Sequence, residues 1–162
     1  MILPFSTQIN KKPTYFVEKI HSGLVQNNLM GDFELQDSPH EFNLDVLATC
    51  EPKLHTIRDD VNDRWHKGVM IDFYINCRQK NMFQFAPRLP VVSTQEVFMT
   101  YAFNGVIEIS VDDVYLNDTL TFAQNDGFDT WEDFFNYFYP KIKANPDLFY
   151  KGKIIHWTDL KY

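Results

Sequence analysis

The sequence predicts an α+β fold, a small, mixed and partly closed β-barrel with helices packed around it. Strand-like runs outnumber helical runs, and two segments carry the apolar spacing of amphipathic helices. A chain of 162 residues is expected to form a single domain, spanning 1–162, around one core. Aromatic residues make up 16% of the composition, and large rings fill the thin core of such a fold.

The first third of the chain predicts one strand, one helix and one long connection. Residues 1–5 predict a short strand. Pro13-Thr14 is expected to open a helix to about Leu24, because Phe16, Val17, Ile20 and Leu24 share one face. Residues 26–52 are polar and weakly patterned, which predicts a long loop or an insertion, and such a segment inside a compact domain is often functional.

The rest of the chain, from residue 68 onward, predicts four further strands and a helix. Residues 68–77 alternate as a half-buried strand does. Asn104-Gly105 predicts a tight hairpin turn between two apolar runs, since this pair tolerates positive φ. Asp129 is expected to cap a helix that ends at Pro140, and residues 154–160 predict the last strand.

The most informative stretch runs from Lys53 to Asp59. Residues 54–58 are expected to be extended, so Thr56 and Arg58 leave the same face of the strand. Lys53 has the opposite parity, but from the entry loop its long side chain can turn toward the same pocket. Two cations and a hydroxyl at one place suit a ligand with carbonyl or phosphate oxygens.

This run, followed by Lys67-Gly68 at the start of a hydrophobic strand, resembles the ASCH family of the PUA-like β-barrel superfamily. It is most similar to the branch that includes bacterial acetylcytidine amidohydrolases, because Thr56 stands where general members have glutamate. The chain departs from the general pattern at Glu51, where those members have glycine. The resemblance covers most of the chain and implies a PUA-like barrel, with residues 26–52 longer than in minimal members.

A second stretch that matches the family is the turn Asn125-Asp126-Gly127-Phe128, just before the predicted helix. The amidohydrolase branch places a catalytic glutamate here, so the resemblance implies catalytic roles for Lys53, Thr56 and Asp126. Aspartate is one methylene shorter, and a displacement of about 1 Å can slow catalysis about a hundredfold. The alternative interpretation is that Asp126 is only a turn residue, since Asp-Gly is a common turn pair.

Aromatic side chains supply the remaining candidate ligand contacts. Trp65 lies in a loop-like segment near the cations, where it is a candidate for stacking on a base, and core packing is the alternative. Tyr15 borders the cleft that the resemblance implies, so it joins Lys53, Arg58 and Trp65 as a predicted ligand contact. The histidines show no metal-ligand spacing, and we expect neither a metal nor a cofactor. His55 neighbours Thr56 in sequence but is expected to face the opposite way.

The charge limits the classes of partner. A net charge of -7 argues against a protein that coats long duplex nucleic acid. Seven Lys and Arg residues between 51 and 90 offer a local basic patch, or else an ordinary solvated surface. No apolar run reaches the roughly 20 residues of a membrane helix, and the N-terminus lacks the pattern of a secretory signal. We therefore expect a cytoplasmic protein, a monomer or small homo-oligomer, without a membrane partner.

Three functional hypotheses follow. The first is a binding module whose cleft recognises RNA, a nucleobase or a modified nucleoside. The second is an amidohydrolase of the same fold that deacylates a modified cytosine nucleoside through Lys53, Thr56 and Asp126. The third is an interaction protein that docks a partner through residues 26–52.

Overall fold

A computed structural model describes residues 1–30, 42–102 and 105–162 of the chain. In these residues it contains four helices: α1 (Phe16–Gln26), α2 (Leu44–Thr49), α3 (Thr119–Asn125) and α4 (Trp131–Lys143). The strands are β1 (Ile2–Phe5), β2 (Gln8–Ile9), β3 (Lys12–Pro13), β4 (His55–Arg58), β5 (Met70–Ile75), β6 (Phe83–Gln84), β7 (Leu89–Pro90), β8 (Ser93–Tyr101), β9 (Ile107–Val111), β10 (Val114–Tyr115) and β11 (Phe149–His156). The predicted α+β class is confirmed, whereas closure into a PUA-like barrel stays a prediction.

The larger sheet is antiparallel, with strand order β10-β9-β8-β11-β4. Helix α4 packs on one face of this sheet through Phe134, Phe138 and Ile142, which recur at helical spacing and are almost fully buried. Thr130 caps the helix, because its hydroxyl accepts a hydrogen bond from the Asp133 N–H at 3.1 Å. The predicted amphipathic helix is thus confirmed, but its cap is Thr130 and not the expected Asp129, one residue earlier.

A second sheet holds the N-terminal strand. β1 runs parallel to β5, which also pairs with β6 and β7. Alternate residues of β1 and β5, among them Phe5 and Phe73, enter a core that helix α1 covers. The small β2–β3 hairpin follows β1 and turns through Asn10 and Lys11, which both have positive φ.

Strand β4 lies at the edge of the larger sheet and separates the two cores. Ile57 enters the core beneath α4, and His55 contacts Phe122 of α3 on the same side. Thr56 pairs with Ile155, a residue of the other core. Thr56 and Arg58 therefore share the face opposite to His55 and Ile57, as the alternation predicts.

Several predicted boundaries differ from the structure. Helix α1 begins at Phe16, not at Pro13-Thr14, because the β2–β3 hairpin occupies the preceding residues. The hairpin of β8 and β9 is confirmed, although Asn104 lies outside the described residues. The last strand covers Phe149–His156, so the predicted range 154–160 overlaps only its end.

The prediction that Pro140 ends the second helix is wrong. The helix continues to Lys143, and the Pro140 carbonyl accepts a hydrogen bond from Ala144 N–H at 3.0 Å. A proline inside a helix removes one backbone hydrogen bond. Burial of Ile142, one turn further along the same apolar face, compensates for that loss.

The predicted long connection contains local structure. Helix α2 lies within residues 26–52, and the Asn43 side chain caps it by accepting from the Val46 N–H at 3.1 Å. Residues 31–41 of this segment lie outside the described part of the chain. No described helix is long and apolar enough to cross a membrane.

Candidate functional site

Three elements meet at Lys53, in the loop that enters β4. Its backbone N–H donates to the Lys19 carbonyl of α1 at 3.0 Å, and the next residue, Leu54, donates to the Asn125 carbonyl of α3 at 2.9 Å. Asp126 follows α3 directly and continues its hydrogen bonding, since its N–H reaches the Phe122 carbonyl at 3.2 Å. Backbone hydrogen bonds alone therefore hold the main chains of Lys53 and Asp126 close to each other.

The side chains of Lys53 and Asp126 form a buried ion pair. Lys53 Nζ donates to Asp126 Oδ1 at 2.7 Å and also to the Asp126 main-chain oxygen. The same Oδ1 accepts from the Ile57 N–H at 3.3 Å, which satisfies a buried donor on the edge of β4 that no described strand pairs with. The two residues that the resemblance marks as catalytic are therefore in direct contact.

Burial sets the protonation chemistry of this pair, because Lys53 is 1% exposed and Asp126 is 4% exposed. Burial lowers the pKa of Lys53 to about 8, despite the opposing attraction of the Asp126 carboxylate. Burial likewise raises the pKa of Asp126, with the Lys53 charge acting in the opposite direction. A buried lysine whose pKa is lowered to about 8, beside a carboxylate, can accept and return a proton more readily than an ordinary lysine.

Thr56 lies three positions after Lys53 in sequence, but it is not hydrogen-bonded to either member of the pair. The residue is 3% exposed and faces away from Ile57, whose N–H contacts Asp126. Among the described residues, no hydrogen bond joins the Thr56 hydroxyl to Lys53 or Asp126. The catalytic trio that the resemblance implies is therefore not assembled in this conformation.

Arg58 occupies a different position from the pair. Its Nη2 donates to the Pro4 carbonyl at 2.7 Å, and its Cζ lies 5.2 Å from the centroid of the Phe5 ring. Lys53 Nζ lies 5.9 Å from the same ring, so Phe5 contacts both cations. Lys53 and Arg58 therefore do not form the single cation cluster that was predicted. Lys53 is buried in the ion pair, whereas Arg58 lines a separate surface cavity.

The two aromatic candidates have structural positions that limit contact with a ligand. Trp65 is 5% exposed and packs in the core beneath α1, so too little of its ring is accessible for the predicted stacking on a base. Its sequence neighbours are polar, but the fold places the ring inside. Tyr15 is half-buried with φ 52° directly before α1, and it lines none of the cavities described here.

The cavity nearest the ion pair has a volume of about 410 Å³, and we call it the lysine cavity. Buried Lys19 donates from Nζ to the Gly127 carbonyl at 2.8 Å and to Asp129 Oδ1 at 2.6 Å. A second pair, Lys12 and Asp133 at 3.0 Å, lies at the rim. The wall comprises Ile9, Asn10, Lys12, Pro13, Thr14, Phe16, Lys19, Gly127, Phe128, Asp129, Asp133 and Asn136.

Gly127 and Phe16 form the wall between the lysine cavity and the ion pair. Gly127 has φ +92°, and a Cβ atom there would lie 2.8 Å from Phe16 Cε1 and 2.9 Å from Lys53 Cδ. Lys53 Nζ lies 4.7 Å from the Phe16 ring centroid. Only a glycine leaves room for this arrangement, which is why the turn after Asp126 needs one.

Sequence reasoning did not identify the Lys19–Asp129 pair of the lysine cavity. Lys19 lies on the apolar face of α1 with Phe16 and Ile20. A lysine at such a position is the one sequence signal that could have indicated a buried charge. Asp129 was assigned to a helix cap, although Thr130 performs that role and leaves the Asp129 carboxylate for Lys19. The contacts themselves are between distant parts of the chain and have no local pattern.

His55 faces the opposite side from Thr56, as predicted, so these residues form no catalytic dyad. Its Nε2 lies 2.7 Å from the Tyr162 hydroxyl, and its Nδ1 lies 3.9 Å from Asp126 Oδ1. Burial lowers the pKa of His55 well below its usual value, so the ring is neutral at pH 7. A neutral ring can pack against the ion pair without adding a third charge.

No group of three or more His, Cys, Asp or Glu side chains is placed to hold a metal ion within the described ranges. Comparison with protein-family models, curated proteins and solved structures found no match to this chain. The geometry of the ion pair and the lysine cavity is therefore the basis for a functional assignment.

Proposed function

We propose that this chain is an ASCH-type domain of the PUA-like superfamily that binds a nucleobase, a modified nucleoside or a short segment of single-stranded RNA. The observation that carries the proposal is the buried Lys53–Asp126 pair behind the Gly127 wall of the lysine cavity. Buried, charged groups beside a cavity are typical of ligand sites, because a structural pair gains little from such burial.

The lysine cavity suits a planar heterocycle. Its volume of about 410 Å³ lies within the range of small-ligand sites. Phe16 and Phe128 supply apolar contact, whereas Lys19 and Asp129 place a donor and an acceptor at the same wall. A nucleobase presents donors and acceptors at its edge and an apolar face, so it matches both parts of this lining.

The net charge supports a small or local ligand. A chain with net charge -7 repels long polyanions, so few phosphates would be neutralised if RNA is bound. The affinity for RNA would therefore depend only weakly on salt concentration.

Replacement of Asp129 by asparagine is expected to weaken cytidine binding about tenfold, or roughly 1.4 kcal/mol. The change removes an ionic acceptor from the lysine cavity while leaving the buried Lys53–Asp126 pair in place. Calorimetric titration of the whole chain with cytidine measures the effect. Asp147→Asn is the matched control, since it removes the same charge from an exposed site outside the cavity. Equal affinities of the two variants, or no nucleoside binding by the unaltered chain, would contradict the proposal.

A second candidate function is deacylation of a modified cytosine nucleoside. The specific observation in its favour is the 2.7 Å contact, which shows that aspartate reaches Lys53 without the extra methylene of glutamate. In this route the neutral Lys53 amine accepts the Thr56 hydroxyl proton while Thr56 Oγ attacks the acyl carbon. The proton then passes to the departing amino group, and water hydrolyses the resulting threonine ester. Thr56 must approach Lys53 when the ligand binds.

Acetylcytidine is the substrate that tests this second function. If it is correct, Thr56→Val is expected to reduce deacetylation more than a hundredfold, because valine keeps the shape and lacks the nucleophile. Thr100→Val on the outer side of β8 is the matched control and is expected to retain full turnover. Release of acetate and cytidine, followed chromatographically, gives the rate. Unchanged turnover in Thr56→Val, or none in the unaltered chain, would exclude the route.

A further inference from the structure

A cavity of about 470 Å³ lies where Arg58 meets the turn after β1 and the turn after β5. We call it the arginine cavity. Among the described residues of its wall, Arg58 carries the one charged side chain, and the other polar side chains are uncharged: Ser6, Thr7, Gln8, Asn76 and Gln79. These hydroxyl and amide groups offer hydrogen-bond donors without adding negative charge.

The arginine cavity differs from the others because the part of its wall that the structure describes contains no carboxylate. The lysine cavity contains Asp129 and Asp133, and a cavity of about 270 Å³ contains Asp113. A cavity of about 200 Å³, which Arg58 also lines, contains Asp59. The chain has 22 acidic residues against 15 basic ones, so an acid-free wall around an arginine is a local exception. Such a wall favours an anion, because nothing in it repels negative charge.

The guanidinium of Arg58 is held in place and still has donors to offer. Nη2 is bonded to the Pro4 carbonyl at 2.7 Å, and the Phe5 ring lies 5.2 Å from Cζ. No carboxylate in residues 1–30, 42–102 or 105–162 forms an ion pair with Arg58, and its buried Nε has no acceptor there. Because Nε is buried, an arginine fixed in this way offers an oxyanion the remaining donors of its Nη groups.

We propose that the arginine cavity binds a phosphate group, either inorganic phosphate or the phosphate of a nucleotide. Arg58 supplies the charge, and the uncharged side chains bind the remaining oxygens. The proposal that the phosphate belongs to a nucleotide rests on the proposed function. The proposal that the cavity binds phosphate does not. The segment from Pro4 to Thr14 contributes to the walls of both the arginine cavity and the lysine cavity.

Calorimetric titration of the whole chain with inorganic phosphate, at constant ionic strength in chloride, tests the site. Arg58→Gln is expected to weaken phosphate binding at least tenfold, because it removes the cation that the described wall supplies. Gln79→Glu is expected to weaken it similarly by placing a carboxylate at an exposed position of the cavity. Arg88→Gln is the control, since it changes the net charge equally at an exposed arginine paired with Asp72.

The outcomes separate this inference from the proposed function. Saturable phosphate binding that falls in Arg58→Gln and Gln79→Glu, and is unchanged in Arg88→Gln, supports the site. Absence of saturable binding, or equal affinities in all three variants, overturns it. Parallel titrations with cytidine and cytidine 5′-monophosphate identify the source, because a nucleotide ligand binds more tightly than phosphate alone. Cytidine binding that does not depend on Arg58 supports the proposed function whether or not the phosphate site exists.

Discussion

Replacing Lys53 with methionine is expected to lower the free energy of unfolding by about 3–5 kcal/mol. Methionine fills a similar volume, so the loss reports mainly on charge. It leaves the Asp126 carboxylate buried with the Ile57 N–H as its remaining donor. A buried carboxylate without its cation must either stay charged in a poor environment or take up a proton, and each alternative destabilises the fold. Urea unfolding followed by circular dichroism measures the change.

Neutralising the partner as well is expected to restore part of this loss. Lys53→Met combined with Asp126→Asn contains no buried charge, and the asparagine oxygen can still accept from Ile57. The double variant should therefore be more stable than Lys53→Met alone. Strict additivity of the two single losses would show that the charges do not interact in the folded protein. Lys151→Met gives a comparison at the 2.9 Å pair with Glu96, where both side chains are more than half exposed and a far smaller loss is expected.

The parts of the site that sequence reasoning predicted correctly depend on short-range order. The parity of β4 predicted that Thr56 and Arg58 share a face and that His55 turns away from Thr56. Alternation in a strand is a local property of the backbone, so it survives in almost any tertiary context. The proximity of Lys53 and Asp126 was suggested by resemblance, because 73 positions separate them and no local rule connects them.

Tertiary packing decided what sequence reasoning missed. Helix α3 was not predicted, although Asp118 caps it by accepting from the Thr121 N–H at 3.0 Å. It has seven residues, too few for periodicity to stand out, and the burial of Phe122 stabilises it. Trp65 appeared in a polar stretch, yet the core beneath α1 encloses its ring. Burial of a single large residue in a loop depends on the fold around it and has no periodic signal.

The fold was predicted in class and in its longest elements. The amphipathic spacing of α4 and the paired apolar runs of β8 and β9 are strong signals, and both elements are present. Strands of two residues, such as β2 and β3, carry no pattern of their own. Their hairpin nonetheless supplies Ile9, Lys12 and Pro13 to the lysine cavity. The shape of the candidate site therefore depends on the elements that a sequence describes least well.

Replacing Gly127 with alanine is expected to destabilise the fold by roughly 3 kcal/mol or more, through two separate effects. At φ +92° a side chain strains the backbone, and the new Cβ would lie 2.8 Å from Phe16 Cε1. The Phe16 ring cannot move aside freely, because it makes edge contacts with the rings of Phe5 and Phe128. Displacing it would disturb both the lysine cavity and the aromatic face beside Lys53.

Gly68 provides the matched control for this prediction. Its φ of +88° is almost the same, but a Cβ there would meet no atom within 4 Å. Gly68→Ala is therefore expected to cost only the backbone strain, about 1–2 kcal/mol, and to leave cytidine affinity unchanged. The additional loss in Gly127→Ala measures the packing against Phe16 and Lys53, and it should be accompanied by weaker cytidine binding. Equal losses of unfolding free energy in the two variants would mean that Phe16 and Lys53 move aside at little cost. The Gly127 wall would then not fix the position of the ion pair beside the lysine cavity.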